Sequence, residues 1–330
     1  MSLLLIVVLF FVLAAEFING WTDAPNAVAT VISTRVLSPY SAIVIASVLN
    51  TAGAFAGTAV ATTIGKGIVN IDSINVFTIL AALISIVIWG ILSAHYSIPI
   101  SKSHALIAGL AGAALAEAGP HVLLWAGWKK VLMGLVFSGL FGFVGSLVLA
   151  KVVTRGFAGS SPVKAGRIFS YMQIASSGLM AFEHGSNDGQ KFIGIFTLTL
   201  VLGGVLPEFR IMWWVILICA LTMGMGTMVG GKKLIKEIGM KMVDLKPWQG
   251  FCAETSAGLT ISLASHLGIP MSTTHVVTTS IMGVGASRGM GNVRWDIVQR
   301  IVTAWMLTFP ICGTISFIIA LILKHIRMGG

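Results

Sequence analysis

Long apolar runs separated by short polar breaks fill the chain from end to end. Runs near the roughly 20 residues needed to cross a bilayer occupy 3–19, 39–62, 74–94, 105–118, 131–150, 168–182, 192–206, 211–230, 250–267, 274–286 and 301–323. They predict about eleven helical segments. Two of these, 105–118 and 274–286, are too short to cross alone. Each follows an Ile-Pro dipeptide and a Ser/Thr cluster, a pattern that predicts half-helices or re-entrant hairpins. The first run has no basic leader and flows directly into Glu16, so it reads as a retained span rather than a signal peptide. Residues 151–167 hold four basic side chains, no acid, and Gly159-Ser160-Ser161-Pro162. This stretch reads as a central linker between a first membrane repeat at 1–150 and a second at 168–330. In 232–246, Leu234, Ile235, Ile238 and Met242 alternate with charges, as in an amphipathic interfacial helix.

Composition agrees with the pattern. Of 330 residues, 56% are hydrophobic and only 10% are charged, whereas a soluble domain carries about a quarter charged residues to cover its surface. An ordinary soluble enzyme, a disordered tail and a soluble nucleic-acid binder are excluded, leaving a multi-pass membrane protein, here placed in the plasma membrane. The net charge of +10 resides in clusters between the apolar runs, as the positive-inside rule expects. Cys219, Cys252 and Cys312 lie inside apolar runs without ligand-like spacing, so neither a disulfide framework nor a zinc site is expected.

An internal repeat carries the most information. Phe17-Ile-Asn-Gly-Trp-Thr-Asp23-Ala-Pro-Asn26 returns 165 residues later as Phe182-Glu-His-Gly-Ser-Asn-Asp188-Gly-Gln-Lys191. Ile98-Pro-Ile-Ser101-Lys-Ser103-His104 returns 171 residues later as Ile269-Pro-Met-Ser272-Thr-Thr274-His275, with Gly112 and Gly283 each eight residues past the His. Duplicated halves with interrupted apolar segments point to a secondary transporter whose site lies where the repeats meet.

The chemistry follows from what these motifs place in an apolar interior. Glu16, Asp23, Glu183, Asp188 and Glu254 stand within apolar sequence, where a charge at a helix centre costs about 2.5–3.5 kcal/mol on insertion scales. Asp23 and Asp188 share a Gly-x-x-Asp context expected to break the helix, so that carboxylates and freed carbonyls surround a cation. After each Ile-Pro, Ser101 or Ser272 is an N-cap, and the first amides of the new helix form an anion pocket. An anion cannot rest directly on two ionised aspartates, so Na⁺ or a proton has to lie between them, which couples the two ligands. His184, four residues before Asp188, is placed to orient that carboxylate or relay a proton. Lys102 and Lys191 either bring positive charge to the site or snorkel to an interface. Asn50 and Glu254 are candidates for the pathway lining, whereas His104 and His275 read as packing or capping groups. The P-loop-like stretch Gly226 to Lys233 lacks the required Ser/Thr and is rejected. Gly53-x-x-x-Gly57 and the glycines Gly134, Gly139, Gly142 and Gly145 read as close helix packing that includes a dimer face.

At Gly20-Trp-Thr-Asp23-Ala-Pro-Asn26, His184-Gly-Ser-Asn-Asp188-Gly-Gln-Lys191 and both Pro-x-Ser-x-Ser/Thr-His motifs, the chain resembles the inorganic phosphate transporter (PiT) family over essentially its whole length. The resemblance implies an all-α integral membrane fold of roughly 10–12 transmembrane or re-entrant helices, in two inverted repeats with broken helices. It also implies a homodimer that imports phosphate with Na⁺ or H⁺, is not an enzyme and needs no other cofactor. By motif position it assigns phosphate binding to Ser101, Ser103, Ser272, Thr273 and Thr274. Cation binding or coupling falls to Asp23, Asn26, Asn187, Asp188 and Glu254, with Na⁺ at Asp23, Asn26 and Asp188. Animal members carry a glutamate at the place of Asn50 and Asn-Ala at the place of Gln190-Lys191, departures that bear on Na⁺ coupling more than on phosphate. The rival readings are a sulfate permease of the same architecture and an intramembrane metal-dependent hydrolase built on His184 and Asp188.

Overall fold

A computed structural model describes residues 2–96, 98, 100–230 and 243–329. The interfacial helix expected at 232–246 falls mostly outside them. Twelve α-helices are present among the described residues: α1 Leu3–Ser33, α2 Pro39–Gly53, α3 Ala59–Lys66, α4 Val76–His95, α5 Lys102–Ala118, α6 Trp125–Gly156, α7 Pro162–His184, α8 Gln190–Leu202, α9 Trp213–Val229, α10 Pro247–His266, α11 Thr273–Ala286 and α12 Trp295–Gly329. Of these, α1, α4, α6 and α12 are long and apolar enough to span a membrane by themselves.

Three boundaries differ from the apolar pattern. The run 39–62 is two helices, because the chain leaves the helical path between Gly53 and Ala59. The basic stretch 151–167 is mostly helix: α6 runs to Gly156 and α7 starts at Pro162, whose fixed φ suits a first turn capped by Ser161. Between α6 and α7 only residues 157–161 lie outside a helix. Finally, 168–182 and 192–206 are not separate segments, since α7 and α8 form one rod through a π-helical turn, Gly185–Gly189.

The two halves repeat their local structure. After α5, Gly119 takes φ +80°, and after α11, Gly289 takes φ +118°, backbone values that L side chains resist. A 3₁₀ turn follows each, at Pro120–Val122 and Met290–Asn292, before Trp125 and Trp295 open the long helices α6 and α12. Packing then crosses between the halves: α5 lies chiefly along α12, and α11 along α6. A Cβ at Gly112 would run into the Gly313 carbonyl of α12, and one at Gly283 into the Phe143 carbonyl of α6. Ser316 of α12 also donates to the Gly109 carbonyl of α5 at 2.6 Å. The small-residue face of α6 accordingly packs largely inside the protomer, as close helix packing. Gly134 meets Pro270, Gly142 meets Val276 and Thr279, and Gly145 meets Ser256, leaving only Gly139 of the four facing open space.

Candidate functional site

The starts of α5 and α11 meet near the middle of the molecule. Ser101 and Ser272 have extended backbones, and their hydroxyls accept from the amides of His104 (3.2 Å) and His275 (3.3 Å). Both expected N-caps therefore form, and those two hydroxyls serve the helix starts rather than standing free. At 1.5 Å per residue, the 17 and 14 residues of α5 and α11 reach about 25 and 21 Å, less than the roughly 30 Å of a hydrocarbon core. They are buried almost throughout, as half-helices inside a bundle must be. Ser103 donates to the Met271 carbonyl at 2.8 Å. The rings of His104 and His275 lie with centroids 4.5 Å apart, His275 stacked on Trp305 and His104 tilted on Phe309. The two rings occupy equivalent positions of the sequence repeat.

The aspartates approach the same point from α1 and from the π-helical turn. Helix breaking, expected at both, occurs at neither. Asp23 and Pro25 sit within continuous α1, which packs closely on α9: a Cβ at Gly20 would strike the Met223 carbonyl, and Thr22 donates back to the Ile18 carbonyl at 2.7 Å. In the second half the equivalent of Pro25 is Gln190. Its amide donates to the Ser186 carbonyl at 2.6 Å, while its oxygen accepts from Val60 (2.9 Å), capping α3 from outside. The extra residue of the π turn, a form frequent at functional sites, is the local irregularity that the sequence pattern had suggested as unwinding.

Asp23 and Asp188 are 4% and 1% exposed. Asp188 is ion-paired with Lys191 and accepts from Thr273 at 3.0 Å. Lys191, 2% exposed, also donates to Ser103 Oγ and to the Met271 carbonyl. On the other side of the cluster, Asn26 donates to Thr274 at 3.0 Å, and its amide is also 3.4 Å from Thr273 Oγ1. The Asn26–Thr274 and Lys191–Ser103 contacts are the same contact in the two repeats, with an ammonium in place of an amide. Lys102 is buried in the first turn of α5; neither lysine snorkels.

His184 is held by a relay that fixes its tautomer. Thr227 donates to the Met223 carbonyl (3.1 Å), so its oxygen accepts from the Asn50 amide (3.0 Å). The Asn50 oxygen then faces His184 Nδ1 at 3.2 Å and takes its proton. That leaves Nε2 of a neutral ring as an acceptor, 3.5 Å from the acceptor Asp188 Oδ2 and with no hydrogen-bond partner. Ligand atoms of Asp23, His184 and Asp188 lie within 4.8 Å of one another.

Two expected site residues stand apart from this cluster. Asn187 spends its amide on Ser265 Oγ (3.0 Å) and its oxygen on the Met271 amide (3.2 Å), fastening the extended segment before α11. Glu254 lies in its own pocket between α1, α7 and α10, accepting from Thr30, Ser176 and Gln173. Thr30, Gln173, Ser176, Thr227 and the Met271 carbonyl escaped sequence reasoning. The four side chains lie outside the repeated motifs, and single Ser, Thr and Gln residues in apolar helices carry no distinguishing signal; Met271 lies inside the second Ile-Pro motif, but a main-chain carbonyl leaves no mark in a sequence.

The family model described as "Phosphate transporter family" matches residues 19–166 and 158–316. The chain belongs to the phosphate transporter family. Relatives in it include a "Probable low-affinity inorganic phosphate transporter" of Rhizobium meliloti, 41% identical over 95% of this chain and 93% of the relative. Another of the same description, from Bacillus subtilis, is 38% identical over 99% of this chain and 100% of its own length. A solved structure described as "The sodium-dependent phosphate transporter" shares the fold, with a TM-score of 0.91 at 24% identity over 98% of this chain and 99% of that one. Family membership and the apolar helices make this a multi-pass membrane transporter rather than an enzyme, which removes the hydrolase reading.

Proposed function

We propose that the chain imports inorganic phosphate in symport with a cation, and that the cluster around the meeting half-helices binds both. The observation that carries the coupling is the facing pair of acceptors, His184 Nε2 and Asp188 Oδ2, with Asp23 beside them. Two lone pairs opposed in a dry interior repel, and a cation between them turns repulsion into binding. A proton suits an imidazole nitrogen better than Na⁺, which prefers oxygen ligands. The fold match to a sodium-dependent transporter keeps Na⁺ as the second reading.

Phosphate is assigned to the space before the two half-helices. Their first amides, at Lys102, Ser103, Thr273 and Thr274, have no partner within their own helices and carry the positive ends of two dipoles. Thr274, which accepts from Asn26 and keeps its own proton, adds a hydroxyl donor, Lys102 adds a cation, and Ser103 and Thr273 add hydroxyls once they turn from the Met271 carbonyl and Asp188. Phosphate near neutral pH keeps an O–H that a carboxylate accepts, whereas sulfate has none, so two acids beside the anion favour phosphate. The halves 1–150 and 168–330 are taken as inverted repeats that expose the site to each face in turn. Labelled phosphate uptake into proteoliposomes, with an inward H⁺ gradient, an inward Na⁺ gradient or neither, tests the reading. Uptake should accelerate with a cation gradient and resist excess sulfate. Equal uptake without any gradient would remove the coupling, and equal competition by sulfate would remove the phosphate assignment.

A further inference from the structure

We infer that Lys191 is a built-in cation: its ammonium permanently fills the position that a free Na⁺ would otherwise take beside Asp188. The inference rests on the phosphate-symport reading only for its consequence in transport; the geometry stands by itself. Around Lys191 Nζ are a carboxylate oxygen of Asp188, the hydroxyl of Ser103 and the main-chain carbonyl of Met271. One charged and two neutral oxygens converging on a buried point form the kind of oxygen shell that a hard monovalent cation uses. Here all three oxygens are turned on a nitrogen. An ammonium has three N–H donors, and each meets one of the three, so no donor is left over and no oxygen is left to bind a metal.

The repeat supplies an internal control. At the equivalent place in the first half stands Asn26, a neutral amide that holds Thr274 as Lys191 holds Ser103. The first half therefore holds a short neutral side chain at the place where the second holds Lys191. What the lysine adds over the amide is a charge, paired with Asp188. Burial argues in the same direction. A lysine kept 2% exposed in a membrane interior is costly unless fully paired, and this one is paired on every donor. The shell is thus satisfied by a tethered charge that cannot dissociate with each cycle. Whatever cation moves with phosphate, it does not occupy the Asp188–Ser103–Met271 shell.

The experiment is the count of ²²Na⁺ bound per chain at equilibrium in detergent, for the parent and for K191N, with D188N/K191N as the control that lacks the carboxylate. K191N should bind one Na⁺ more than the parent, the double variant should lose that ion, and uptake by K191N should gain a dependence on Na⁺ over K⁺. An unchanged count in folded K191N overturns the inference. Should K191N fail to fold, crystals of the parent soaked in Tl⁺ decide the matter, because an anomalous peak within the Asp188–Ser103–Met271 shell would show an exchangeable cation there and defeat it, and its absence would uphold it. If the parent carries no phosphate at all, the symport reading falls while the ion count still judges Lys191.

Discussion

At the residue scale, the two aspartates are equivalent by sequence but unequal by environment. Asp188 is tied to Lys191 and Thr273, whereas the hydroxyl in reach of Asp23 is that of its neighbour Thr22, at 3.4 Å. Both D23N and D188N should abolish coupled uptake, but for stability they should part company. Removing one member of a buried ion pair leaves the other charge stranded, at about 3–5 kcal/mol. D188N strands Lys191 in this way, and D23N breaks no direct ion pair among the described residues. Thermal melting in detergent should accordingly show D188N well below the parent and D23N close to it. Equal melting of the two would mean that the Asp188–Lys191 pair does not hold the site together.

At the element scale, the most exposed dependency is α3. It is eight residues long, has no side-chain cap of its own at Thr58, and takes its cap from Gln190 on a different helix. Q190A should cost about 1 kcal/mol or more, the usual size of a lost N-cap. It should also speed hydrogen exchange at Val60 and Ala61 before any other amide, and uniform protection across α3 would contradict the assignment. The same residue shows what the sequence could and could not reveal. The half-helices, their serine caps and the two acidic motifs were legible, because Pro, Gly, Ser and Asp act on the backbone locally and the repeat marked them twice. The unbroken course of α1 through Asp23 and Pro25 was not, since Gly20 and Pro25 read locally as a break and the close approach of α9 to Gly20 is set far away in the chain. The π turn, the division of 39–62 and the separate pocket of Glu254 were hidden for the same reason, each being decided by a neighbour far away in the chain.

At the scale of the whole molecule, the halves are joined by exchange rather than by a linker. Because α5 packs chiefly on α12 and α11 on α6, each half-helix has its main partner in the other half. Alanine at Gly112 or at Gly283 pushes a helix off a backbone carbonyl that cannot rotate away, and overpacking of this kind costs about 1–3 kcal/mol. The two variants should be destabilised to a similar degree, as judged by melting, because the contacts are reciprocal. A large loss in one and none in the other would show that the exchange is structurally one-sided.

That exchange has a direction in time which symmetry conceals. When α11 leaves the ribosome, α6 is already in place to receive it. When α5 leaves, about 180 residues separate its end from the start of α12, and at roughly 5–20 residues per second the wait is about 10–35 seconds. Throughout that interval a short helix headed by a lysine, two serines and a histidine has to be sheltered from lipid without the partner that finally covers it. Biosynthesis therefore treats the two repeats differently, however alike they are when finished. A nascent chain that stops before α12 lacks more than its last span, because it leaves the first repeat open from within, a form that membrane quality control can recognise.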